Sequence, residues 1–337
     1  MRLLSRSLAC AALASFAFGS TAHAADLSAR LGSLDPTTTA KHRGLVKAAE
    51  LIKQRTDGKV VITIFPSSQL GNAREMTEAV QLGSLDAIIM PASFLGGFNP
   101  AVPIFDIPYV FPSDPEASRK LREGPFGEAV LETFRKRGFE PVALWSGGTK
   151  VFSSNKPLAA IGDFAGQRFR VMDSNILIKQ FAALNASAIV LPFGELYTAL
   201  QNGVIDAQEN PIDIIERMKF FEVQKNVLVT DHGAIVEVVL FSPAFWKRLP
   251  ENHRGIVRAA FREVAAEVAK GKQDDAAKSL EFLKKAGLNV RIASEAERAK
   301  LRELIYPASR DAYFGASGDE GRKLIKLYEE QLKAVRS

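Results

Sequence analysis

In "QRFRVM" (residues 167–172) a guanidinium stands among residues that a sheet normally buries. Phe169, Val171 and Met172 have the character of a strand core, and Arg170 sits among them, two places after Arg168. Taking an arginine out of water is costly unless an anion meets it. Two sources of that anion are open: an acid of the chain itself, Asp173 or Glu195, or an anionic molecule from outside. Three other side chains have chemistry that complements Arg170. Lys150 supplies a second cation, Asn210 both a donor and an acceptor, and Phe193 an apolar wall. Arginine grips a carboxylate in a planar, two-toothed fashion, whereas lysine is a point charge. The set suits a small organic acid. Each member also has a structural reading. Asn210 before Pro211 fits a helix cap followed by proline at the first helical position. Phe193 reads equally as core, and Lys150 as a solvated surface lysine.

Signatures of catalysis are missing. There is no GxGxxG between a strand and a helix, no GxxxxGKS or GxxxxGKT loop, no GxSxG elbow and no HExxH. His42, His232 and His253 are far apart, without metal-ligand spacing, and His232 reads as a satisfied structural histidine. No metal or cofactor is expected. Asp and Glu are plentiful, so carboxylate pairs for acid–base work stay open.

These side chains need a scaffold to hold them. Strand-like runs such as "KVVITIF", "LDAIIMP", "EPVALWS", "QRFRVM", "SAIVLP" and "VIDAQEN" alternate with helix-like stretches. That rhythm implies βαβ units and a mainly parallel sheet. Two such series predict an α/β clamshell. Lobe I is expected over 25–147 plus 236–275, and lobe II over 148–235 plus 276–337. Ligands collect beyond the carboxyl ends of strands in such sheets, which is where Arg170, Phe193 and Asn210 fall. From Glu251 to Gly287 a helical pattern runs without interruption. At about 1.5 Å per residue it predicts one helix on the order of 50 Å, long enough to cross both lobes.

The first 24 residues read as an export signal: Arg2 and Arg6, then the 11-residue apolar run Leu8–Phe18, then Ala22-His23-Ala24 before cleavage. The apolar run is short of the ~20 residues that span a membrane. Cys10, the single cysteine, leaves with the signal, so the exported chain has neither thiol nor disulfide. Loss of Arg2 and Arg6 lowers the formal charge of +6 by two, and basic residues are interleaved with acids as in "EAERAKLREL". No basic stripe with aromatics marks a nucleic-acid surface. An exported, two-lobed α/β chain without a catalytic signature points to binding.

Across nearly its whole exported length the chain resembles the solute-binding proteins of tripartite ATP-independent periplasmic (TRAP) transporters, the DctP-like family. The segments that carry the resemblance are "TDGKVVITIFPSSQLGNAREMTEAVQLGSLD", "FDIPYVF", "SSNKPL", "FRVMDS", "PFGELYTALQNGVIDAQENP" and "FFEVQKNVLVTDH". The resemblance implies a clamshell with a long helix along both lobes. It implies a periplasmic monomer that hands an organic acid to the small and large membrane subunits of a permease. Arg170 matches the arginine that grips the ligand carboxylate, Phe193 the aromatic that packs on the ligand, and Asn210 the asparagine of "QEN". Lys150 falls where many members carry another basic residue, while Asn72 and Ser93 fall near positions that contact ligand in some members. Lysine at 150, where sialic-acid binders have arginine, points to the dicarboxylate branch, and Pro91 replaces an acid of those binders. Asp173 either orients the guanidinium or meets an ammonium or hydroxyl of the ligand. The expected ligand is a C4-dicarboxylate. Alternatives are a monocarboxylate, 2-oxo or aromatic, or an exported α/β enzyme with an anionic substrate.

Overall fold

The computed structural model describes residues 26–112 and 114–336; the expected signal segment and Ala25 lie outside the described residues. The first elements repeat strand, helix, strand: β1 (Leu27–Gly32), α1 (Ala40–Arg55), β2 (Val60–Phe65), α2 (Ala73–Leu82) and β3 (Ala87–Pro91). Helices α3 (Pro115–Glu123) and α4 (Pro125–Arg135) follow, and then the long strand β4 (Glu140–Ser154). The second series comprises β5 (Arg168–Val171), α5 (Asn175–Ala182), β6 (Ser187–Val190), α6 (Leu196–Gln201), β7 (Ala207–Pro211) and α7 (Ile212–Arg217). The chain then forms β8 (Asn226–Val229), β9 (Ala234–Phe241), α8 (Pro243–Arg248), α9 (Glu251–Glu263) and α10 (Ala265–Lys285). It ends with β10 (Asn289–Ile292) and α11 (Glu295–Arg336).

The strands form one sheet in the order β2-β1-β3-β9-β4-β7-β5-β6, with β8 on β4 and β10 on β8. Pairings that close βαβ units are parallel, as between β1 and β2, β1 and β3, β5 and β6, and β5 and β7. The antiparallel pairings all involve β4 or β9. β4 joins the two halves of the sheet. It pairs with β9 from Glu140 to Thr149 and with β7 from Lys150 to Ser154. Its register to β9 slips between Ser146 and Gly148, where Gly148 takes a φ of 96° that only glycine adopts without strain.

Three apolar clusters hold the layers. One, with Trp145, Phe241 and Phe261, fills the space between the first sheet half and helices α1 and α9. Another, with Phe152, Phe164, Phe169 and Phe181, backs the second half. The third runs across both halves and includes Phe105, Phe126, Phe193, Ile214 and Tyr313. Helix α11 packs on α5 of the second half and on α3 and α4 of the first. It carries Pro307 inside it and is broken at Gly318 (φ 57°).

The structure corrects the helix expected over 251–287. It is two helices that meet at the single residue Val264, which is buried in the first core and keeps a right-handed helical backbone (φ −79°, ψ −10°). Both α9 and α10 pack on α1 and β4, and α10 also reaches α7. The division expected at 275/276 falls inside unbroken α10, and α11, assigned wholly to the second lobe, touches both halves.

At Gly44, α1 comes close to α10 and to Trp145 of β4. A Cβ there would stand 2.2 Å from Val268 Cγ2 and 3.4 Å from the Trp145 ring. Neither neighbour is the tip of a flexible chain. Gly44→Ala should therefore cost about 1–3 kcal/mol of stability, as overpacking does. Urea unfolding monitored at Trp145 checks this, and a midpoint equal to wild type would contradict the packing described.

Candidate functional site

Strand β5 is only four residues long, and its two faces have opposite chemistry. Phe169 and Val171 enter the second core, while Arg168 and Arg170 point the other way. Arg168 is saturated by Asp206, with Nε to Oδ2 at 3.0 Å and Nη2 to Oδ1 at 3.1 Å. Arg170, two residues on, is 1% exposed and has no such partner. Its Nε and Nη2 both donate to the carbonyl of Leu191, at 3.0 and 2.8 Å. Among the described residues no carboxylate lies within ion-pairing distance of it, and Nη1 makes no hydrogen bond. Neither Asp173 nor Glu195, the internal candidates, reaches the group; both are exposed. The rings of Phe94 and Phe193 lie 5.8 and 5.9 Å from Cζ, within cation–π range. Burial lowers the guanidinium pKa to about 10 against a compensating pull from Glu209, so it stays cationic at neutral pH.

Phe94 and Phe193, the two rings that flank this arginine, also line a cleft between the sheet halves. Pro91 and Phe94 line it from the first sheet half, and Met172, Phe193 and Asn210 from the second. Asp35, Glu237 and Lys272 give it a polar part. Asn210 is buried and its Nδ2 donates to Gln208 Oε1 at 2.5 Å. It does not cap a helix: Pro211 holds the cap position of α7 and no side chain bonds there. Phe193 opens a 3-10 turn and is braced edge-on by Phe220 at 6.3 Å.

The other expected ligand contacts sit elsewhere. Lys150 is not a free second cation. It is 1% exposed, and its Nζ lies 2.6 Å from Glu209 Oε1. The register that sets Lys150 opposite Pro211 brings β4 and β7 close enough for this pair. Glu209 Oε2 also takes Gln180 Nε2 at 2.9 Å and His232 Nε2 at 2.8 Å. Burial alone would raise the Glu209 carboxyl, but Lys150 and His232 overcome it and hold the pKa at about 2. His232 is structural, as its spacing implied, with Nδ1 on Thr230 at 2.7 Å and its ring stacked on Phe152 at 3.9 Å. Asn72 caps α2: its side chain accepts from the amides of Arg74 and Glu75, while Glu75 accepts from the Asn72 amide. Ser93 is buried and donates to Asp106. Asp173 is exposed and makes no ion pair among the described residues.

Several cleft residues are absent from the sequence-based set. Phe94 covers the guanidinium from the opposite half. Lys41 binds both Asp35 (3.0 Å) and Glu237 (2.8 Å), and Lys272 binds Asp213 at 2.5 Å, all buried. Burial would pull the Lys41 ammonium down, yet Asp35 and Glu237 hold it above its ordinary value. A lone acid in the apolar strand "AIVEVVLF" is the signal that marks Glu237. Among the described residues no cluster of His, Cys, Asp or Glu has the form of a metal site.

A two-halved α/β fold with a long C-terminal helix and a cation-bearing cleft between the halves defines a solute-binding protein. The chain matches the family model "Bacterial extracellular solute-binding protein, family 7" over residues 31–315 and belongs to that family, the solute-binding proteins of TRAP transporters. It is 35% identical to the C4-dicarboxylate-binding periplasmic protein DctP of Rhodobacter capsulatus, covering 80% of this chain and 81% of that one. It is 30% identical to the 2,3-diketo-L-gulonate-binding periplasmic protein YiaO of Escherichia coli, covering 98% and 99%. Among solved structures it resembles a TRAP solute-binding protein of Desulfovibrio salexigens with bound orotic acid. There the TM-score is 0.90 and the identity 51%, over 91% of this chain and 99% of that one. A Sulfurospirillum deleyianum relative with bound succinate gives a TM-score of 0.83 at 31% identity, over 91% and 99%.

The Glu209 pair generates a test of pH dependence. A carboxyl held at about 2 in the fold, below its ordinary 4.5, contributes stability that is present above pH 4.5. That contribution is lost as pH falls toward 2. Glu209→Gln should lower stability at pH 7 and flatten its decline between pH 4.5 and 2, measured by urea unfolding. A variant whose decline parallels wild type would show that the pair does not titrate as described.

Proposed function

We propose that this protein is the periplasmic receptor of a TRAP transporter and that its ligand is a flat monocarboxylate, an aromatic or heteroaromatic acid, rather than a C4-dicarboxylate. One observation carries the reading: among the described residues, Arg170 is the buried cation flanked by the cleft rings Phe94 and Phe193 that has no carboxylate of its own. Lys150, Lys41 and Lys272 are each neutralised internally. A dicarboxylate would bring two charges to a site with one to spare. The flanking rings of Phe94 and Phe193 suit a flat body, and Asn210 offers both donor and acceptor to its edge. The orotate-bound relative, at 51% identity, supports the same class more strongly than the succinate-bound one at 31%.

The working cycle follows from charge completion. With the halves apart, water hydrates Arg170; closing over an empty site buries an unpaired cation, which is unfavourable. A bound carboxylate supplies the missing anion, so the ligand favours the closed form by its differential affinity. The closed receptor then delivers the acid to the small and large membrane subunits. No helix of the described residues is long and apolar enough to cross a membrane, and the curated relatives are named as periplasmic.

Calorimetry on protein unfolded and refolded to strip any bound acid tests the proposal. Orotate or benzoate should bind at least about tenfold more tightly than succinate, a difference of roughly 1.4 kcal/mol. Arg170→Ala should lose about 2–5 kcal/mol of that binding, and Arg170→Lys should weaken it too, since an ammonium lacks the fork. Tightest binding by succinate, or full-strength binding in Arg170→Ala, would overturn the reading.

A further inference from the structure

Strand β9 is apolar along "AIVEVVLF" except for Glu237, which is only 3% exposed. Its register sets it between Pro91 of β3 and Trp145 of β4, in the interior of the first sheet half. Its Oε1 takes the Lys41 ammonium, but Oε2 is buried without any hydrogen-bond partner. A buried carboxylate oxygen left unpaired is strongly unfavourable, so it marks a place where something else is meant to bind. Glu237 lines the same cleft as Phe193 and Asn210, approached from the other half of the sheet. Gly147 keeps that approach open. A Cβ at 147 would stand 2.4 Å from Ile235 Cγ2 and 3.1 Å from Glu237 Oε1.

The hydrogen-bonding balance around Glu237 indicates what it binds. Lys41 pairs with Asp35 and Glu237, and Lys272 with Asp213. Asp213 Oδ1 is likewise buried without a partner. This end of the cleft therefore carries more acceptors than its donors satisfy. A second carboxylate would add only further acceptors here, whereas an N–H or O–H would find an acceptor waiting.

We infer that Glu237 is a specificity-determining residue that accepts a hydrogen bond from an N–H or O–H on the part of the ligand remote from its carboxylate. The ligand class is then narrower than flat monocarboxylates in general. It is an acid whose ring also carries a donor, such as a cyclic amide or imide, or a hydroxyl-bearing ring. This inference rests on the reading that Arg170 holds the carboxylate.

Titration calorimetry with refolded wild type and Glu237→Gln tests it, using orotate (ring N–H donors), benzoate (flat, no donor) and succinate as probes. Wild type should prefer orotate to benzoate at least tenfold. Glu237→Gln should lose at least tenfold for orotate, change less than threefold for benzoate, and hold succinate no more weakly than wild type does. A ligand-side experiment needs no variant: methylating one or other ring nitrogen of orotate should cost wild type at least tenfold at one position. Equal effects on orotate and benzoate, or indifference to methylation at both nitrogens, would overturn the role of Glu237 and leave the Arg170 reading standing. Binding of succinate alone would overturn both.

Discussion

The guanidinium of Arg170 is held out of water with a single backbone carbonyl and two ring faces as compensation. Among the described residues, the buried lysines around the cleft, Lys41, Lys150 and Lys272, each have a carboxylate within 3.0 Å. That difference organises the site. The parallel pairing of β5 with β6 sets Arg170 beside the segment that follows β6, where the Leu191 carbonyl fixes the plane of the guanidinium. The same pairing leaves its other edge without a hydrogen bond. Phe94 reaches it from one half of the sheet and Phe193 from the other, so both halves contribute to its surroundings.

Lys150 stands near the site yet has a different task. With Glu209, His232 and Gln180 it forms a buried polar knot where β4 exchanges β9 for β7 as its partner. Breaking one member of such a group leaves an uncompensated charge, so the knot fixes the junction between the halves with high specificity. Because Glu209 adjoins Asn210, the brace also sets where the cleft amide sits. A cation of this kind is already neutralised within the fold, and the proposal of a ligand with one carboxylate rests on that.

Much of the scaffold was legible in the sequence because alternating strands and periodic helices are local patterns. "KVVITIF", "LDAIIMP" and "SAIVLP" each contain a strand of the sheet, β2, β3 and β6. Arg170 was legible for a different reason: a charge inside an apolar strand is an anomaly that demands a partner. The same rule applies to Glu237 in "AIVEVVLF", where strand and anomaly are equally clear. What could not be read locally was pairing over long separations. Lys150 and Glu209 are 59 residues apart, and Lys41 and Glu237 are 196 apart, so a cation and its neutralising acid share no local pattern. The break at Val264 was hidden for a related reason. The helical period continues through it, and so do the backbone hydrogen bonds from Val264 to Ala260 and from Val268 to Val264.

A crystal structure of the refolded protein soaked with a flat monocarboxylate, benzoate or orotate, addresses the central claim most directly. The account predicts the carboxylate of the acid on the edge of Arg170 that carries Nη1, with the ring between Phe94 and Phe193 and the Lys150–Glu209 pair intact. A carboxylate seated on Lys150 or Lys272, with Arg170 still bound only to the Leu191 carbonyl, would contradict it.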